Sequence, residues 1–86
     1  YPTLGQVYPA AGAIAKIGVP ATEKVLQHLS RTESQKEIEL CSWILSEIYG
    51  RDVAEFIVNR ELKRSLDALR KKNLKEALDK WLAPEE

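Results

Sequence analysis

The chain has 86 residues, 44% of them hydrophobic and 30% charged, with thirteen Lys and Arg set against thirteen Asp and Glu. A chain of that size makes one domain at most and buries only about 60 to 65% of the surface its unfolded form exposes, so its core has to be economical. The composition is that of a folded globular protein. No apolar run approaches the roughly 20 residues a bilayer span requires, and the balanced charge leaves only local attraction to nucleic acid or an anionic membrane.

Tyr1 to Gln6, with Pro2 and Gly5 and no period, reads as a leading loop. The apolar run Val7 to Ile17 has no basic segment before it and is interrupted by Pro9, Gly12 and Lys16, which argues against a signal peptide. Tyr1 in place of Met reads as a processed form or a domain excised from a longer chain, so the compartment is not legible. Pro9 suits a first helical turn, and Ala10, Ala13, Ile14 and Ile17 follow at helical spacing until Gly18 stops them. Pro20 then opens a second helix with the face Ala21, Val25, Leu26 and Leu29. The two-residue link makes the pair an antiparallel helical hairpin.

Ser34 and Glu37 have capping-box spacing and start a third helix, with a stripe of Ile38, Cys41, Ile44, Leu45 and Ile48 widened by Leu40 and Trp43. Glu37, Glu39, Ser42 and Glu47 fall mostly off that stripe. Gly50 ends it as Gly18 ended the first. Asp52 and Glu55 repeat the capping spacing, and Val53, Phe56 and Ile57 form an apolar face. Residues 52–72 read either as one helix or as two, and a break near Asn59, followed by a helix carrying Leu62, Leu66 and Leu69, is the preferred reading. Asn73 with Glu76 marks a last helix with Leu74, Ala77, Leu78, Trp81 and Leu82 on one core face, ending before Pro84. Ala83 to Glu86 reads as a frayed tail.

Ala13 to Gly18 and Ile44 to Gly50 share one frame: an apolar helix end, an isoleucine, then a glycine. The second copy lies about 32 residues after the first, a period produced by stacked helical hairpins that cannot bury their apolar faces singly. The stretch from Ala10 to Leu29 resembles the bacterial HEAT-like repeat also found in phycobilisome lyases. Ala10, Ala11, Ile17, Gly18, Pro20, Ala21, Leu26 and Leu29 carry the resemblance. Glu23 departs from it, and so does Tyr8, which stands near the place of the family's early arginine. The resemblance implies an all-α fold: a short right-handed stack of antiparallel helical hairpins, a HEAT-like α-solenoid of five or six helices. The repeats would span about 7–30, 34–59 and 60–83 of a single domain covering 1–86. It carries no lyase chemistry, because the repeat has no catalytic motif for these residues to match.

Candidate chemistry is sparse. Cys41, the single cysteine, lies on an apolar stripe and reads as a buried hydrophobe, with His28 near the end of an adjacent helix as a surface group. No spacing suits a metal, and Gly5, Gly12, Gly18 and Gly50 are isolated rather than gathered into a phosphate loop, so no cofactor is expected. The carboxylates Glu37, Glu39, Glu47, Glu55 and Glu61 fall at caps or on solvated faces, and the chain is read as non-enzymatic. Trp43, Tyr8 and Tyr49 are the candidate protein-interaction residues, because aromatic rings give large contact area at small entropy cost; Trp81 is assigned to the core. The expected function is a helical-repeat scaffold for a protein partner or a neighbouring domain of its parent chain, with no membrane and no small-molecule substrate. The alternative is nucleic-acid binding through the basic segment 60–75, by Arg60, Lys63, Arg64, Lys71, Lys72 and Lys75. There, lysines complementing a helix end and the absence of interleaved aromatics favour a solvated face.

Overall fold

In the computed structural model residues 9–82 are described, and 89% of them are helical with no strand among them. The elements are α1 (Pro9–Ile17), a 3₁₀ turn (Val19–Ala21), α2 (Thr22–Arg31), α3 (Gln35–Tyr49), α4 (Arg51–Arg64) and α5 (Ala68–Glu76), which runs on as a π-wound segment (Ala77–Leu82). The leading loop, Tyr8 and the tail after Leu82 lie outside the described residues.

The glycine stops are where the sequence places them. Gly18 and Gly50 have φ of 79° and 83°, with ψ of −143° and 158°. This combination of positive φ and extended ψ is accessible to glycine and almost nothing else, and it turns the chain between one helix and the next. Pro20 sits inside the short 3₁₀ turn, where its missing N–H is no loss, and α2 follows from Thr22. Ser34 caps α3 as expected, its hydroxyl accepting from the Glu37 amide at 3.4 Å. The other half of the box is filled differently: Thr32 Oγ1 accepts from the Ser34 amide at 3.1 Å, which leaves the Glu37 carboxylate available elsewhere.

Beyond Gly50 the sequence expectations need correction. No break occurs at Asn59; α4 runs through it to Arg64, and the chain turns at residues 65–67 instead. The cap there is Asp67, whose carboxylate accepts from the Arg70 amide at 2.8 Å. The repeat boundary expected between 59 and 60 therefore falls inside α4. Asp52 and Glu55 provide no side-chain cap for α4, because Gly50 occupies that position. Asn73 is no cap for its own helix either. It lies within α5, 2% exposed, and its Nδ2 donates to the carbonyls of Leu29 at 2.8 Å and Thr32 at 2.7 Å. Those carbonyls belong to the end of α2 and the link after it, where the helix can supply no N–H of its own.

Helix α3 is central, touching α1, α2, α4 and the π-wound segment. This is why its burial exceeds one stripe: Ser42 joins Ile38, Cys41, Ile44 and Leu45 in the interior, 1% exposed. Its hydroxyl is satisfied within the helix by donating to the Ile38 carbonyl at 2.7 Å, as Ser30 does to Leu26. Helix α4 turns Ala54, Ile57 and Val58 inward and leaves Val53 and Phe56 exposed, so its apolar face is rotated from the expected one.

The π-winding of the last segment accounts for another departure. With i to i+5 bonding, residues five apart share a face, and Ala77 and Leu82 are both buried, at 0% and 1%. Trp81, which an unbroken α-helix would align with Leu74, Ala77 and Leu78, is turned outward and is 38% exposed. The Arg51 guanidinium donates to the Leu82 carbonyl at 3.3 Å and ties this end to the start of α4.

Helix α2 packs against α5 as well as α3, so the first and last thirds of the chain meet across the central helices. The radius of gyration is 11.9 Å and the extents are 34 × 29 × 23 Å. That matches the roughly 12 Å expected of a closed globule of this length.

Candidate partner-binding groove

Helix α1 packs chiefly on α3 rather than on α2, and the space left between these helices is a groove of about 430 Å³. From α1 it is lined by Ala11, Ile14 and Ile17, and Ala21 of the 3₁₀ turn forms one wall. Val25 of α2 and Leu40, Cys41 and Ile44 of α3 complete the apolar surface. Ala11 and Ala21 leave the space unfilled, since neither carries a side chain long enough to reach across. Ile17 is 60% exposed, so the apolar lip of the groove continues into solvent.

Its polar edge comes from Lys24, His28 and Glu37. Lys24 and His28 are four residues apart on α2 and so project from one face. His28 Nε2 lies 2.7 Å from Glu37 Oε1, and the Thr32 hydroxyl donates to Glu37 Oε2 at 2.6 Å. The Thr32 hydrogen bond, then the one from His28, hold the Glu37 carboxyl below the usual carboxylate range. The carboxylate is therefore the acceptor, and the His28 Nε2 carries the proton.

Cys41 lies one turn after Glu37 and is 5% exposed. Burial, reinforced by the Glu37 charge, pushes its thiol up to about 12. A cysteine nucleophile needs the opposite, a thiol brought down by a neighbouring cation. The groove thus gathers a Cys, a His and a carboxylate without activating the sulfur. Among the described residues no group of three or more His, Cys, Asp or Glu could hold a metal ion, and no helix is long and apolar enough to cross a membrane.

The predicted interaction residues are not in this groove. Trp43 is half-buried against the core, and Tyr8 lies outside the described residues. Tyr49 is half-buried, its hydroxyl 2.6 Å from Thr22 Oγ1, on a second and more polar depression of about 540 Å³ bounded by Val19, Leu26 and the Glu61–Arg70 pair. Among the described residues the exposed aromatic ones are Phe56 and Trp81. Arg60, Lys63 and Arg64 are exposed near the end of α4, and Lys71, Lys72 and Lys75 are exposed on α5. The apolar and small residues of the groove were legible as such, but the gap that leaves Ile14, Ile17 and Leu40 partly uncovered was not. Periodicity shows that a face is apolar, and only tertiary packing decides whether another helix covers it.

Comparison of the chain with protein families, curated proteins and solved structures finds no match.

Proposed function

We propose that this chain is a non-catalytic HEAT-like helical-repeat module that binds a protein partner or a neighbouring domain by receiving an amphipathic helix in the groove between α1, α2 and α3. The repeat reading is supported by Gly18 and Gly50, which stand 32 residues apart with nearly the same φ, each between one helix and its successor. The α2–α5 contact gives this stack a closed form. The single observation that carries the binding reading is the apolar groove itself. Apolar surface at the exposed Ile17 and the half-buried Ile14 and Leu40, above a floor of Val25 and Ile44, is costly to leave in water, at about 25 cal/mol per Å² of apolar area, and a helix with apolar residues at i, i+3, i+4 and i+7 is the shape that fills such a cleft. Lys24 at the edge selects an occupant with a carboxylate beside its apolar stripe.

The test is methyl NMR on the whole chain, titrated with a synthetic amphipathic helical peptide carrying a leucine stripe flanked by glutamate. Binding is expected to shift the methyls of Ile14, Ile17, Leu40 and Ile44, and Ala21→Phe, which fills the groove, is expected to abolish those shifts while circular dichroism stays unchanged. Leu40→Lys provides a second variant for the case in which Ala21→Phe perturbs the fold. Shifts that persist in both folded variants, or no shifts in the parent chain, would overturn the reading.

A further inference from the structure

The corner between α4 and α5 carries a different surface. Val53, Phe56, Arg60 and Lys63 lie at i, i+3, i+7 and i+10 of α4, opposite the buried Ala54, Ile57 and Val58, and so form one solvent-facing stripe about 15 Å long. The stripe leads into the turn at residues 65–67, where Leu66 is 95% exposed, and Leu69 is exposed in the first turn of α5. A projecting leucine in a turn contributes nothing to the core, and it stands among cations: Lys63 and Arg64 before it, Lys71 and Lys72 after it.

The local carboxylates are already engaged. Asp67 caps α5, and Glu61 takes Arg70 at 3.3 Å and Arg60 at 3.9 Å. Lys63, Arg64, Lys71 and Lys72 make no ion pair among the described residues. The turn therefore presents net positive charge interleaved with uncovered apolar side chains, in a chain whose overall charge is zero.

We propose that this corner is a second docking surface, for an acidic segment of a partner protein that carries leucine-like or phenylalanine-like side chains between its carboxylates. Charge complementarity fixes the sign of the occupant, and the exposed Phe56, Leu66 and Leu69 fix its apolar content. Nucleic acid uses the cations but leaves these apolar groups without partners, and the lone ring of Phe56 is no stacking platform. An anionic bilayer meets the same cations, and vesicles are therefore one arm of the experiment. The groove lies on α1, α2 and α3 and shares no lining residue with this corner.

The experiment is fluorescence anisotropy of the whole chain with a labelled synthetic peptide of alternating glutamate and leucine, beside a serine-for-leucine version of equal charge, a duplex DNA, and vesicles containing phosphatidylserine. The leucine peptide is expected to bind with an affinity that falls with salt, and to bind about tenfold more tightly than the serine version. Leu66→Asp and the double variant Lys63→Glu, Arg64→Glu are each expected to weaken it about tenfold, with helicity unchanged because all three positions are exposed. Ala21→Phe leaves it unaltered, which separates this surface from the groove. Equal binding of the two peptides, tighter binding of DNA or vesicles that ignores Leu66→Asp, unaltered binding by both corner variants, or loss of binding in Ala21→Phe would each overturn the proposal.

Discussion

Replacing Asn73 tests how the bundle is closed. Its side chain is 2% exposed and gives both Nδ2 hydrogens to carbonyls at the end of α2 and the link beyond it, at 2.8 and 2.7 Å. Asn73→Ala removes two hydrogen bonds and leaves two buried acceptors unmet, which costs about 2 to 3 kcal/mol of a total stability of about 5 to 15. Asn73→Asp keeps the shape and reverses the chemistry, since a carboxylate facing two carbonyls has nothing to donate. Its pKa in the folded chain rises above the unfolded value near 4, so the folded state is penalised at neutral pH. The penalty fades as pH falls through the raised folded value toward about 4, where the protonated acid can donate to one carbonyl. Urea unfolding followed by circular dichroism across pH 4 to 8, corrected against the parent chain, reads both effects. An Asn73→Ala variant within about 0.5 kcal/mol of the parent, or an Asn73→Asp variant whose deficit does not depend on pH, would refute the assignment.

Gly50→Ala is expected to destabilise by about 1 to 3 kcal/mol through backbone strain alone, because φ is 83° while an added Cβ meets no atom within 4 Å. D-alanine at the same position, introduced by chemical synthesis, should be tolerated, and equal loss with both enantiomers would contradict this. Cys41 should resist alkylation in the native chain at pH 8, since a thiol pushed up to about 12 is ionised to about one part in ten thousand there. Its modification rate should follow unfolding instead, and prompt reaction at neutral pH would count against the buried site. Glu37 should titrate below the value of an ordinary glutamate by carbon-detected NMR, and Thr32→Val and His28→Ala should each raise its midpoint. Because the folded value is depressed, the stability this group contributes is present above the unfolded value and is lost as pH falls through the folded one.

What could be read from the sequence was what is set locally. Gly18, Gly50 and the Ser34 cap depend on neighbours within a few residues, and they are found in place. Asp67 was legible in principle as a cap three residues before Arg70, but the leucine spacing across Leu62, Leu66 and Leu69 suggested helix there and obscured it. Asn73 shows the converse. Its spacing to Glu76 imitates a capping box, while its real partners lie 44 and 41 residues away, beyond anything local pattern can register. Trp81 was misplaced because an α-helical period was applied across residues that wind as a π-helix. The groove and the α4–α5 corner were visible only as apolar and basic residues, because burial depends on which helices meet.

The junction between α2 and α5 also bears on the order in which the chain becomes protected from solvent. Until α5 arrives, the last turn of α2 has carbonyls that only water can serve, so this turn frays however strong the local helix signal is. Amides near Leu29 to Thr32 and those of α5 should therefore exchange with deuterium as one cooperative unit despite their separation in the chain. A ribosome-bound nascent chain that has not yet emitted Asn73 would hold α2 in an unfinished state.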